Sequence, residues 1–305
     1  MNNIPDITVF TATYNRGNFL KNIYNDLKRQ TFENFEWLIV DDGSSDNTRD
    51  IVESFIKEKI INIKYIYKYN GGRHSAINLG VNNASGPLFL LLDSDDRIVK
   101  NALESICTIW NGHKDKANIA GILTLCKDNQ GKLIGSKFPQ NCKEVSFCDV
   151  YNKYNVTGDK FTCFVTKILK QYPFPEKEDV RFVMEAVVWH EISKKYNMIC
   201  ENEVLQIVNY QSDGLSNTEY TFDKVNGLAF SYLNLINNRT YAFKKYPKLW
   251  AFNYIFLIAY SKLYNLEYFE YIKRYSSKVL YVLFYPLGYV LYSKINRYIQ
   301  ENNNY

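Results

Sequence analysis

The sequence predicts an α/β protein: a doubly wound mixed sheet, mainly parallel, followed by a C-terminal helical extension. Three observations carry this prediction. Short apolar runs alternate with helical patterns through the first hundred residues, polar clusters follow three of those runs, and the composition changes near residue 220. Strand–helix alternation of this kind implies right-handed βαβ crossovers, and such sheets bind ligands at the carboxyl ends of their strands.

Ile7–Thr13 (ITVFTAT) reads as the first strand, and Gly17–Gln30 as a helix with Phe19, Leu20, Ile23 and Leu27 on one face. Phe35–Val40 is a second strand, followed by a helix over 47–60. Ile63–Tyr67 is a third strand, and Ser75–Asn83 a helix. Pro87–Leu92 (PLFLLL) is apolar on both faces, as a parallel strand covered by helices must be. Beyond a helix over 100–111 the pattern turns mixed. Strands are expected at Ile119–Leu125, Thr162–Val165 and Val204–Tyr210, a hairpin around Asn129-Gln130-Gly131, and a helix over 186–196. From about Thr221 onward everything reads helical. The expected division is 1–220, comprising a ligand-binding part (1–100) and a second part (101–220), and a helical extension over 221–305.

Composition narrows the class. Of 305 residues 46% are apolar and 23% charged, so the chain folds. No stretch reaches the roughly 18–20 apolar residues of a membrane-spanning helix. The opening MNNIPDITVF has no basic segment ahead of a long apolar one, so no secretory signal is expected. Six cysteines without a C-x-x-C pair, and three histidines, argue against zinc and for buried thiols in a reducing cytoplasm. The net charge of +5 is unevenly placed. Residues 226–305 hold 10 Lys+Arg against 3 Asp+Glu and 22 of the 49 aromatic residues, while the rest of the chain holds 27 against 29.

Chemistry concentrates in the polar clusters. Asp93-Ser94-Asp95-Asp96 puts three carboxylates within four residues at a strand end, where they repel one another unless a cation neutralises them. Mg²⁺ and Mn²⁺ prefer oxygen ligands and share them with a substrate's phosphates. A helix cap would need one carboxylate, not three. In Asp41-Asp42-Gly43-Ser44-Ser45-Asp46, Gly43 and Asp46 suit a turn and a cap, which leaves Asp42 to accept hydrogen bonds from a ligand such as a pyrimidine edge. Asn70-Gly71-Gly72-Arg73 opens a helix, and its backbone amides with the Arg73 guanidinium suit a diphosphate. His74 by itself is more often structural than catalytic.

In this order, TATYNR at 11–16, QTFENFE at 30–36, VDDGSSDNT at 40–48, NGGRHSAINLG at 70–80 and LLDSDD at 91–96 resemble the family-2 glycosyltransferases of the GT-A fold, almost without a gap over residues 5–97. The resemblance implies that Tyr14 and Asp42 contact the uracil of a UDP-sugar, with Thr13 and Asn15 lining the same pocket. Arg73, Asn78, Asp93 and Ser94 join the nucleotide-sugar site, and Asp95 is the candidate ligand for Mn²⁺ or Mg²⁺, with Asp93 a second. The family also uses a carboxylate base that opens a helix. Glu185, entering Met184-Glu185-Ala186-Val187-Val188-Trp189, has that position, and Asp179 of the Glu178-Asp179 pair is the runner-up; Ala186 stands where the family usually has Asp. Tyr210–Ser216 (YQSDGLS) resembles the loop that closes over the diphosphate, without a histidine as third metal ligand.

The implied reaction is inverting transfer of one sugar from a UDP-sugar to a hydroxyl of a lipid-linked or cell-surface glycan, as in capsule, exopolysaccharide, lipopolysaccharide or teichoic-acid synthesis. No Q-x-x-R-W motif of processive synthases is present. The competing readings are a nucleotidyltransferase of related αβα fold, for which TATYNRGNF lacks the glycine-rich Arg/Lys signature, and a catalytically inactive nucleotide-sugar-binding module. The tail, with Lys278–Lys294 (KVLYVLFYPLGYVLYSK) interrupted by Pro286 and Gly288, reads as helices lying on an anionic membrane through 249–299. That places the protein in the cytoplasm, peripheral on the inner face of the cell membrane. Packing on the rest of the chain or a homo-oligomer contact is the alternative, and nucleic acid is not an expected partner.

Overall fold

The computed structural model describes residues 4–210, 220–238 and 245–302. The chain divides into two compact units, Met1–Pro173 with Lys195–Leu215, and Phe174–Lys194 with Ser216–Tyr305.

The first unit is built on one nine-stranded mixed sheet. Its opening half follows the expected alternation: β1 (Ile7–Thr13), α1 (Gly17–Leu27), β2 (Phe35–Asp41), α2 (Thr48–Glu58), β3 (Asn62–Tyr67), α3 (Arg73–Asn83) and β4 (Leu88–Leu91). These four strands lie parallel in the order β3-β2-β1-β4, with Thr13 beside Asp41 at the carboxyl end of the β1–β2 pair. Every residue of β2 and β4 is buried, as the apolar stretches Trp37–Val40 and Leu88–Leu91 require, whereas β3 at the edge is only half-buried. The core gathers Ile7, Val9, Leu20, Ile23, Trp37, Ile39 and Leu90. Tyr24 stacks on Phe55 with ring centroids 4.1 Å apart.

At the amino ends of the strands, the buried Glu36 carboxylate accepts from Thr8 Oγ1 (2.6 Å) and from the Ser85 N–H (2.7 Å) and hydroxyl (3.0 Å). That acid is satisfied within the fold by these three donors.

Beyond β4 come β5 (Arg97–Ile98), α4 (Ala102–Asn111), β6 (Ile119–Asp128), β7 (Glu144–Val145), α5 (Phe147–Asn152), β8 (Lys160–Val165), α6 (Thr166–Leu169) and β9 (Asn197–Val208). The strand β8 enters antiparallel between β4 and β6, and β9 lies parallel to β6. Two expectations are refined here. The hairpin expected around 129–131 is present but short: Lys127 bridges Leu133 antiparallel, and the Asp128 and Ile134 N–H groups donate to the Lys132 and Cys126 carbonyls at 2.9 Å, before the chain leaves and β7 pairs with β9. The strand expected at Val204–Tyr210 starts at Asn197, since register shifts against β6 break the alternation that would reveal its first half. Short β5 and β7 have no sequence signature of their own. All six cysteines are buried free thiols.

The second unit holds α7 (Ala186–Ile192), α8 (Phe222–Asn237), α9 (Pro247–Leu263) and α10 (Tyr275–Asn302). The helix expected over 186–196 stops at Ile192 and gives way to a turn. The apolar side of α9, including Tyr254, Leu257 and Ile258, packs with α8 and α10. Gly288 lets α10 approach closely, because a Cβ there would lie 2.5 Å from Ile258. The expected interruption at Pro286 does not occur; α10 runs through it as one helix of 28 residues in all. A helical proline costs about 3 kcal/mol, and packing of the opposite face against α9 offsets that. Among the described residues no helix is long and apolar enough to cross a membrane.

Candidate active site

Three loops at the carboxyl ends of β1, β2 and β4 and the start of α3 are joined by hydrogen bonds within the first unit. Asn15 adopts a left-handed backbone (φ 53°), and its side-chain oxygen accepts from the Ser45 N–H at 2.7 Å, while its own N–H donates to Ser44 Oγ at 2.8 Å. It therefore braces the 44–46 turn in addition to any ligand contact. Gly43 closes that turn at φ 91°, where a Cβ would lie 2.8 Å from the Asn70 nitrogen. Asp46 stands one residue before the N-cap, which is Asn47, and its Oδ1 accepts from the Thr48 N–H (3.0 Å) and hydroxyl (2.5 Å), so it steadies the first turn of the helix without taking the expected cap position. Tyr14 is exposed; Thr13 is buried, and its hydroxyl has no hydrogen-bond partner among the described residues.

Asp42 is buried and accepts from Lys68 Nζ (2.6 Å), the Gly71 N–H (2.9 Å) and the Gly72 N–H (2.7 Å). This corrects the expectation that the glycine amides wait for a diphosphate: the anion they hold is the Asp42 carboxylate. Lys68 carries no sequence signal for this role, and it also donates to Ser75 Oγ at 2.9 Å. The Arg73 guanidinium meets Asp93, with Nη2 2.6 Å and Nε 3.0 Å from Oδ1. Asn78 lies half-buried on α3, and Ser94 is buried.

The acidic cluster separates into two kinds of group. Asp96 is buried, accepting from Gln206 Nε2 (2.6 Å) and the Asn209 N–H (3.1 Å). Burial first, and then the Asp93 charge, push its carboxyl up to about 8. The picture of three ionised carboxylates awaiting a cation is thereby corrected, because Asp96 joins the β4–β5 turn to β9. Asp93 and Asp95 remain, and each already has a cation. Arg73 holds Asp93, and Arg16, to which the motif TATYNR had assigned no role, pairs with Asp95.

Among the described residues no group of three or more His, Cys, Asp and Glu side chains converges on a metal position. Two adjacent carboxylates nevertheless fit Mg²⁺ or Mn²⁺, which take one or two protein carboxylates and complete their shell with phosphate and water oxygens.

Glu185 and Asp179 lie in the second unit. Glu185 precedes α7 and accepts the Trp189 indole N–H at 3.1 Å. Asp179 is exposed, and its contact with Lys177 (2.7 Å) holds its carboxyl below the usual range. Of the expected closing loop, Tyr210 donates to Asp159 (2.6 Å), and 211–216 lie outside the described residues.

A parallel β3-β2-β1-β4 half-sheet with acidic and basic side chains at its carboxyl edge defines the GT-A-like α/β class. The chain belongs to glycosyl transferase family 2, whose profile matches residues 8–168. It is similar to an uncharacterized glycosyltransferase of Rickettsia conorii (40% identity over 102 residues, 33% of this chain and 17% of the relative). It is also similar to the GalNAc(5)-diNAcBac-PP-undecaprenol beta-1,3-glucosyltransferase of Campylobacter jejuni (27% over 195 residues, 63% of this chain and 61% of the relative). The chain thus spans less than two thirds of the length of these curated relatives. In fold it resembles S. aureus TarS in complex with UDP-GlcNAc (TM-score 0.57, 18% identity, covering 91% of this chain and 78% of that one). A Pyrobaculum calidifontis mannosyltransferase in complex with GDP-Man and Mn²⁺ has a TM-score of 0.53 (14% identity, 93% and 88% covered).

Proposed function

We propose that this chain is an inverting, metal-dependent glycosyltransferase that moves one sugar from a UDP-sugar to a hydroxyl of a lipid-linked or cell-surface glycan. The observation that carries this reading is the pair of arginine-held carboxylates, Asp93 and Asp95, at the carboxyl edge of the sheet within the family-matched segment. Asp95, with Asp93 beside it, would hold Mn²⁺ or Mg²⁺. When bound, that ion supplies positive charge against the leaving diphosphate. Thr13, Tyr14 and Asn15 would receive the uridine, and the partnerless Thr13 hydroxyl would gain a hydrogen bond there. Asp42 fixes the glycine loop through three donors and thereby sets the start of α3, from which Arg73 and Asn78 project. Glu185 would take the proton of the acceptor hydroxyl, its carboxylate oriented by the Trp189 indole. The salt-bridged Asp179 is the poorer base, since a lowered carboxyl pKa weakens its pull on a proton.

Similar proteins support the donor and acceptor classes: one fold neighbour is a complex with UDP-GlcNAc, another holds GDP-Man and Mn²⁺, and a relative is named for an undecaprenol-linked glycan. We also propose that α10 places the enzyme on the inner, anionic face of the cell membrane. A panel of UDP-sugars, each tested for thermal stabilisation with and without Mn²⁺, checks the donor reading. At least one should raise the melting temperature only when Mn²⁺ is present, because a ligand that binds the folded state alone stabilises it. A panel without any shift would reject a UDP-sugar donor.

A further inference from the structure

Each carboxylate that would hold the cation is already occupied by an arginine. Arg16, at the start of α1, pairs with Asp95, their side chains only 20% and 16% exposed; Arg73, at the start of α3, pairs with Asp93. The ion pairs bring together residues distant in sequence, 79 positions apart for the first and 20 for the second. Arg16 also lies over the Phe19 ring, 5.8 Å from its centroid, so its stem is held near the carboxylate.

Two acids and two guanidinium groups leave this edge of the site electrically balanced. A divalent cation arriving alone would meet two positive neighbours and would have to displace them into solvent. A diphosphate arriving alone would find the guanidinium groups engaged by carboxylates. Arriving together, the two ligands exchange partners with the ion pairs, and their charges nearly cancel. Guanidinium is suited to such an exchange because its planar fork matches carboxylate and phosphate oxygens alike.

Resting on the donor-site reading above, we infer that Arg16 and Arg73 are exchangeable counter-ions. They neutralise Asp95 and Asp93 in the empty enzyme, and they turn to the diphosphate when the cation takes the carboxylates. The consequence is thermodynamic coupling: UDP raises the affinity for the cation, and the cation raises the affinity for UDP by the same factor. The enzyme then takes up metal mainly together with its donor, and Arg16 is a positioning residue for the diphosphate.

The test is Mn²⁺ titration of the full chain by calorimetry, with and without saturating UDP, which needs no turnover. Wild type should bind Mn²⁺ alone weakly and gain at least about fivefold in affinity with UDP. Arg16→Ala should bind Mn²⁺ alone about tenfold more tightly, since one opposing charge is gone, and its gain from UDP should shrink. Arg16→Lys, which keeps the charge, should restore the weak metal-only binding; a change due merely to lost packing on Phe19 would not be restored. Melting curves of both variants check that they fold, and Arg16→Gln replaces the alanine variant if that one does not. If Arg16→Ala binds Mn²⁺ alone no more tightly than wild type while UDP still promotes Mn²⁺ uptake, the exchange is refuted and the donor site stands. Absence of Mn²⁺ uptake by every protein, with or without UDP, would overturn the donor-site reading and this inference with it.

Discussion

Asp93, Asp95 and Asp96 stand within four residues, yet their surroundings give them different tasks. Two are held by arginines, and the third is buried against Gln206 and the Asn209 amide. The sequence marked the cluster as chemical but could not divide it, because the deciding partners come from distant segments: Arg16 before α1, Gln206 in β9. Asp42 teaches the same lesson. Its motif was readable, but Lys68 and the two glycine amides that occupy it were not. At Glu185 the reading rests on one carboxylate oriented by an indole. Glu185→Gln keeps the size and can still accept from Trp189, so UDP binding should be unchanged while kcat for transfer drops by about 10²–10⁴-fold, the usual contribution of a general base. Transfer kinetics beside UDP titration check this, and wild-type turnover in the variant would remove Glu185 from the mechanism.

At the scale of elements, the first four strands and their helices were legible nearly to the residue, because long periodic runs leave little choice of period. The mixed half was less so. Two-residue strands such as β5 and β7 have no period to read, and β9 hides its first half behind register shifts against β6. The tail was legible as helix but not in its packing. Within the span expected to lie on a membrane, α9 is mostly buried in its unit although Phe252 is 50% exposed, and the broader exposed apolar surface lies on α10. One side of α10 packs through Tyr281, Gly288 and Ile295; the other exposes Val279, Val282, Leu283, Leu287 and Val290 near Lys278 and Lys294, with Leu283 66% open. An apolar stripe with basic flanks in a segment of net positive charge suits anionic lipid. Leu283→Glu with Val290→Glu, on the exposed side, should leave the melting temperature within a few degrees while cutting co-sedimentation with phosphatidylglycerol vesicles several-fold. Undiminished pelleting of the double variant would refute this surface.

At the scale of the whole molecule, a nine-stranded mixed sheet carries the cluster of charged side chains at its carboxyl edge, and a helical unit carries Glu185 and α10. Residues 8–168 carry the family match and contain every proposed donor-site residue. Glu185 and α10 lie beyond that match, in the second unit. The proposed donor site was therefore the more readable: its motifs are contiguous with strand ends, whereas the proposed base precedes a short helix that resembles many others. Metal-dependent use of a UDP-sugar is measured most directly as UDP release from the UDP-sugar that stabilises the protein, with Mn²⁺ present or chelated, in wild type and in Asp95→Ala. Mn²⁺-dependent release by wild type, reduced at least about a hundredfold in Asp95→Ala, is the predicted result. Equal release by the two proteins, or release that persists in chelator, would rule out a metal-dependent donor site at Asp95.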